Sequence, residues 1–239
     1  MNIRIALTLA SALVAGAAQA NFSYGNFSST SGLALNEAAY STGSALRLTE
    51  AVDWNRGSAW TLDKQSVAGG FTTSFDYHIG GGNGADGLTF TLQNGATWDV
   101  GGMGGSLGLD GVHGSYGVQF RTYSHNQIQI GSRTDNADAS VANTGLRGNH
   151  HVEITYVPGT MSVFLDGAFA LSTNVDLGAK YGEAGAFMGF TSATGGSNDV
   201  HEISNWNFTS GTTEAVPEPA SLAAIGIGLV GLIKRRRKA

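Results

Sequence analysis

Apolar and polar positions alternate along much of this chain with a period of two, which predicts strands with one buried face. The clearest run sets Phe71, Thr73, Phe75, Tyr77 and Ile79 against Thr72, Ser74, Asp76 and His78. Gly80, Gly81, Gly82 and Gly84 break it, and Leu88, Phe90 and Leu92 resume against Thr89, Thr91 and Gln93. The stretch Phe71 to Asn94 reads as a hairpin around a glycine hinge. Further strands are expected at Ala45 to Thr49, after Gly57-Ser58-Ala59-Trp60, and on both sides of a tight turn within Tyr116 to Gly131. His150 to Val157 and Met161 to Leu165 pair about Pro158-Gly159; Ala184 to Thr191 and His201 to Phe208 follow. Asn21 to Gly43 is expected to hold one strand and a surface loop, and Asp135 to Asn149 to be polar loop. Trp54 and Trp60 are read as core or rim packing.

No helical period appears in the middle of the chain. Many short strands with glycine turns predict an all-β sandwich or barrel. Composition agrees, with 36 glycines, 3 prolines and 13% charged residues in 239. About 190 residues between the two ends suit one domain of that class. There is no cysteine, which excludes a disulfide framework and a thiolate metal site. Residues 21–219 hold 7 basic and 18 acidic side chains, a net charge of −11. So acidic a body excludes nucleic acid as a partner.

The two ends are different objects. Residues 1–20 have a basic start at Arg4, an apolar run from Ile5 to Ala15 and the small-x-small site Ala18-Gln19-Ala20, which predicts a cleaved secretory signal. The domain is placed at 21–209, a linker at 210–216 and a tail at 217–239. The tail begins Pro217-Glu218-Pro219, continues apolar from Ala220 to Ile233 and ends in the basic cluster Lys234 to Lys238. As a helix that apolar run spans roughly 21 Å of a ~30 Å hydrocarbon core, and snorkelling basic side chains close the gap. The basic cluster belongs on the cytoplasmic side, with the body outside.

Candidate chemistry concentrates in loops. Asp86 sits at the hinge exit in Ala85-Asp86-Gly87, an acid on a loop held by two rigid strands. Gly101 to Gly108 is glycine-rich, so its backbone can approach a ligand closely. Gly104-x-Ser106-x-Gly108 matches a nucleophile elbow, but nothing helical follows Ser106. A single calcium-type nonapeptide at the hinge has no second copy to stack on.

The tail resembles the PEP-CTERM sorting signal of Gram-negative bacteria: proline-glutamate-proline, short membrane segment and basic end occur in order. That resemblance implies recognition by an exosortase at the inner membrane, removal of the tail, and delivery to the cell surface or an extracellular, biofilm-type matrix. The body resembles L-type (legume-lectin-like) carbohydrate-binding domains. The resemblance rests on Leu46-Arg47-Leu48-Thr49, Ala85-Asp86-Gly87-Leu88-Thr89-Phe90, the glycine loop, Val152 to Tyr156, Gly189 to Gly195 and Ile203 to Phe208. It implies an antiparallel jelly-roll sandwich that binds a glycan or exopolysaccharide and is not an enzyme. It further implies a cis Ala85-Asp86 bond and a site in which Asp86 accepts two sugar hydroxyls. The loop Gly102, Met103, Gly104 and Gly105 would donate backbone N–H, Tyr123 would stack on the sugar, and Asn126 is a remnant of the family's metal loop.

Here the sequence departs from the family. Where the related strand reads Val-Glu-Phe-Asp-Thr-Tyr, with both acids as metal ligands, this chain reads Val118-Gln119-Phe120-Arg121-Thr122-Tyr123. Calcium takes six to eight oxygens with carboxylates among them, and this strand supplies none, so no cofactor is expected. Arg121 is expected to replace the metal's charge and to hold Asp86 in a bidentate pair. Three functions follow: an exported glycan-binding module, a structural matrix protein on a scaffold that has lost its sugar, and a glycan hydrolase. The last needs two carboxylates about 5–9.5 Å apart on the site face, and Glu153 stands alone on its strand.

Overall fold

The computed structural model describes residues 21–211. The strands are β1 (Asn21–Tyr24), β2 (Leu33–Glu37), β3 (Tyr40–Ser41), β4 (Leu46–Thr49), β5 (Arg56–Thr61), β6 (Phe71–Gly80), β7 (Gly87–Gln93) and β8 (Tyr116–Arg121), then β9 (Gln127–Arg133), β10 (Asn136–Ala142), β11 (Gly148–Val157), β12 (Gly159–Leu165), β13 (Ala168–Val175), β14 (Phe187–Ala193) and β15 (Val200–Ser210). Two antiparallel sheets take them up. One runs β13-β12-β11-β6-β15-β4-β3, with β1 on the C-terminal half of β15; the other runs β10-β9-β8-β7-β14-β5-β2. The expected signal peptide, membrane helix and basic tail lie outside the described residues.

The stretch 71–94 is not a hairpin. β6 lies between β11 and β15 in the eight-stranded sheet, and β7 between β8 and β14 in the seven-stranded one. The glycine hinge carries the chain from one sheet to the other. The physical reason is that each strand has an apolar face, and facing each other across a core buries both. Phe75 stacks on Phe90 at 6.0 Å and meets Phe190 edge-on at 4.9 Å, and Phe190 meets Trp206 at 4.8 Å. Thr73 sits on the apolar face of β6 as a polar handle. Its Oγ1 accepts the Trp206 indole N–H at 3.0 Å and donates to Asn207 O at 2.8 Å. Trp60 is fully buried, as core packing requires, but Trp54 is 65% exposed.

Other expectations fail at the sheet edges. The polar stretch 135–149 contains β10 and the start of β11, and residues 21–43 hold three short strands. β10 and β13 are edge strands with mostly exposed or half-buried side chains, so neither carries a clean apolar face. A single helical turn, α1 (Leu177–Tyr181), is capped by Asp176 Oδ1 accepting the Ala179 N–H at 2.8 Å. It is too short to show a period.

The polar face of the seven-stranded sheet is also buried, because the segment 94–114 lies over it with Leu107, Leu109 and Val112 inside. The hydroxyls of Thr89, Thr91 and Thr191 bond one another at 2.8 Å, and Thr191 donates on to Leu107 O at 2.7 Å. Asp99 O accepts both Ser58 Oγ and Trp60 Nε1 at 2.8 Å. The covering segment thus supplies the acceptors that water would have supplied.

His201 is wholly buried between the sheets, its Nδ1 2.6 Å from Thr49 Oγ1, and burial pushes its pKa down to about 3. In the unfolded chain it takes up a proton below about 6.5. The unfolded state therefore binds more protons between those values, and stability falls as the pH drops through that window. His201→Gln should flatten this fall in denaturant titrations from pH 7 to pH 4, although the variant is less stable than the parent at pH 7.

Candidate functional site

Asp86 is fixed where the two sheets exchange the chain. The Ala85-Asp86 bond is cis. The Asp86 N–H donates to Ala193 O at 3.2 Å, and Asp86 O accepts the Thr122 N–H at 3.0 Å, so the residue is tied to the ends of β14 and β8. Gly87 follows with a φ of +131°, and a methyl group built on it would stand 2.0 Å from Phe120 O. No other residue fits there.

The carboxylate is bracketed by two glycines. A methyl group on Gly195 would lie 3.3 Å from Asp86 Oδ2, and one on Gly104 3.9 Å away. Asp86 is only 6% exposed, yet its Oδ2 has no hydrogen-bond partner. Burial raises its pKa above the ordinary carboxylate value; the Arg121 charge, the nearby Gly195 backbone N–H, whose own hydrogen bond goes to Ser197 O at 3.1 Å, and His125 pull the other way. A buried carboxylate oxygen with no donor is costly in the free protein, and it faces two residues that have no side chain to offer.

The glycine loop is held by its own hydrogen bonds and partly committed. The Gly102 N–H donates to Asp110 O at 2.9 Å and the Gly104 N–H to Thr194 O at 3.0 Å, so these two expected donors serve the loop itself. The N–H groups of Met103 and Gly105 make no hydrogen bond among the described residues. Ser106 ends the 3-10 turn Gly104–Ser106, and Leu107, in the left-handed region, stops it. No helix follows, so a nucleophile elbow does not form.

Arg121 is buried beside Asp86 but does not pair with it as the sequence suggested. Its guanidinium donates to Thr134 O through Nη1 and to Gly105 O, at 3.4 Å, through Nη2. Thr134 in turn gives its N–H to Asp110 Oδ1 at 2.9 Å and its hydroxyl to Asp110 Oδ2 at 2.5 Å. Burial lowers the Arg121 pKa, while the charges of Asp110, Asp86 and Asp135 raise it. The guanidinium therefore reaches Asp86 through its field, and its hydrogen bonds tie the glycine loop to the β9–β10 turn.

Tyr123 is 51% exposed on the loop after β8, one residue beyond the Thr122 amide that holds Asp86. Asn126 is half-buried at a φ of +44°, and its carbonyl accepts the Asn143 N–H at 2.7 Å. Sequence reasoning pointed to the loop around Thr191 to Asp199 as one that sets specificity, but it missed that Val52–Asn55 is bonded to it. The Trp54 N–H donates to Gly195 O at 2.9 Å, Thr194 Oγ1 donates to Val52 O at 2.7 Å, and Asn198 Nδ2 donates to Asp53 Oδ1 at 2.7 Å. These bonds hold the loop of an exposed tryptophan against the segment that carries Gly195. Nothing local signals them, because each joins residues far apart in the chain.

Comparison with known proteins agrees with this geometry. The lectin from Bauhinia forficata in complex with GalNAc is 21% identical, with a TM-score of 0.70 over 80% of this chain and 98% of that one. Peanut lectin with a nine-residue peptide is 24% identical, with a TM-score of 0.69 over 81% and 97%. The exoplasmic/lumenal domain of VIP36, bound to Ca2+ and Man3GlcNAc, is 14% identical, with a TM-score of 0.63 over 82% and 91%. The described residues thus have the legume-lectin-like jelly-roll fold. Residues 215–238, outside the described part, match the PEP-CTERM protein-sorting motif, so the chain carries the C-terminal sorting signal of an exported protein.

The unpaired carboxylate makes a prediction about stability. The ionised form is the one that burial disfavours, so Asp86→Asn should raise the melting temperature by a few degrees at pH 7. The gap between variant and parent should close on acidification, as Asp86 takes up its proton. Thermal melts of both proteins between pH 7 and pH 4 check this.

Proposed function

We propose that this protein is an exported carbohydrate-binding protein that takes exopolysaccharide or another surface glycan at Asp86 and performs no chemistry on it. The observation that carries the reading is the buried Asp86 Oδ2, which has no hydrogen-bond partner and lies beside Gly104 and Gly195, two residues with no side chain to cover it. Sugars present pairs of hydroxyl donors, which is what such an oxygen lacks. The free N–H groups of Met103 and Gly105 complement the sugar's oxygens, Tyr123 offers an aromatic face, and the Asn126 side-chain amide lies on the adjoining loop. Proteins of this fold in complex with GalNAc and with Ca2+/Man3GlcNAc support the same class of ligand.

The donor set does not fit the calcium/manganese pair that the resemblance implies. Among the described residues no three of His, Cys, Asp and Glu come together to hold a metal ion. A cation, Arg121, occupies the strand position of one acid, and Gln119 the position of the other. In this reading Arg121 takes over the metal's structural task by fixing the Gly105 and Thr134 carbonyls and partly neutralising Asp86. The domain at 21–209 is then carried to the inner membrane, released from the tail near Pro217-Glu218-Pro219 by an exosortase-type enzyme, and left at the cell surface or in the matrix.

A glycan array probed with the full chain, in calcium and again in a chelator, should show binding of equal strength in both. Binding lost on chelation would mean that a metal site exists after all. No binding in either condition would leave a structural matrix protein as the better account. Arg121→Ala should abolish binding and lower the melting temperature, because two carbonyls lose their donor and a buried acid loses a neighbouring positive charge; an unchanged variant would dismiss its role. In the native cell, replacing Pro217, Glu218 and Pro219 together by alanine should leave the unprocessed chain in the membrane fraction.

A further inference from the structure

Three bulky apolar residues adopt left-handed backbone: Phe27 at a φ of +53°, Trp54 at +53° and Leu107 at +55°. That conformation is strained for any side chain larger than glycine. Phe27 and Leu107 are buried, 1% and 0% exposed, so packing offsets their strain. Trp54 is 65% exposed and receives no such return. Yet its loop is not loose. Besides the bonds from Trp54 N–H to Gly195 O, from Thr194 Oγ1 to Val52 O and between Asn198 and Asp53, the Asn55 N–H donates to Thr194 Oγ1 at 2.9 Å and the Thr194 N–H to Asn55 O at 2.8 Å. Five hydrogen bonds thus hold the loop that carries this solvent-facing indole against the segment whose Gly195 lies beside the Asp86 carboxylate.

We infer that Trp54 is a second aromatic platform, one sugar away from the Asp86 subsite, and that the ligand is a chain of at least two sugars rather than a lone monosaccharide. The inference rests on the carbohydrate reading above. An indole offers the largest apolar face of any side chain to the C–H patch of a pyranose ring. Fixing it in advance removes the ordering cost that a flexible loop would impose on binding. Val52, Trp54, Met103 and Tyr123 are all exposed on loops around Asp86, which gives the rim an apolar edge suited to a sugar chain running across it.

The test is isothermal titration of the full chain with linear oligosaccharides of one to five units: α-1,4-glucose, β-1,4-glucose, β-1,4-N-acetylglucosamine, α-1,2-mannose and β-1,4-galactose. For the series that binds, affinity should rise from one unit to two or three and then level. Trp54→Ala should remove that rise, about tenfold on the trisaccharide, while the monosaccharide constant stays within a factor of two. Trp54→Phe should keep most of the rise, and Trp98→Ala, at another exposed tryptophan, all of it. Trp54→Gly relieves the positive φ and should not lower the melting temperature; a drop of several degrees would make Trp54 a structural residue and overturn the proposal. Binding by the parent with no dependence on chain length, or a Trp54→Ala variant that keeps the rise, would overturn the platform and leave the Asp86 site standing. A parent that binds no saccharide in any series would overturn both.

Discussion

The polar face of the seven-stranded sheet is removed from water, and most of the site follows from that constraint. Hydroxyls and amides denied solvent must find partners inside the protein. The segment 94–114 provides them with its own carbonyls, at Asp99 and Leu107, and must lie flat on the sheet to do so. Glycines make that approach possible: a methyl group on Gly108 would stand 2.8 Å from Ser192 O, and one on Gly101 2.6 Å from the Leu109 carbonyl carbon. The glycine loop beside Asp86 is the margin of this layer, which is why its backbone is tied to Asp110 and Thr194. At that margin the pairing stops, and Asp86 Oδ2 and the amides of Met103 and Gly105 are left over.

What the sequence disclosed depended on how many faces of a strand meet solvent. β6 was legible because its buried and half-buried residues alternate along its length. β7 and β8 were legible as strands, but every residue of both is buried, and the threonine pattern pointed to a solvent face that does not exist. β10 and β13 escaped notice because an edge strand need not bury much of either face. Asp86 was found as an acid at the exit of a glycine hinge and the glycine loop by its composition, and the resemblance to lectin motifs then gave them roles. The partners of Arg121 were not, since a backbone carbonyl has no letter in the sequence. Trp54 was read as core or rim packing because tryptophan is usually well buried; its exposure and the long-range bond from its N–H to Gly195 O set it apart.

The loss of two acids from the strand β8 is better described as an inversion than as damage. In the related strand those acids would draw in a cation. Here Gln119 and Arg121 are donors, and they draw in carbonyls: Gln119 Nε2 donates to Arg133 O at 3.0 Å, and Arg121 Nη1 donates to Thr134 O. Gln129 joins them, giving its amide to Gln119 Oε1 at 2.7 Å and to Thr134 O at 3.1 Å. The β9–β10 turn is thereby folded back over the sheet by side-chain N–H groups. A guanidinium is one charge where a divalent pair would be four, so the proposed replacement leaves Asp86 less neutralised, in keeping with a pKa that burial still raises. In exchange the organising cation is part of the chain. It cannot be chelated, and it holds its carbonyls by directed hydrogen bonds. On the proposal that Arg121 stands in for the metal, a loop fixed in this way would keep its shape whatever the calcium level outside the cell, and the cost of the arrangement would fall on Asp86, the residue that the proposed ligand would satisfy.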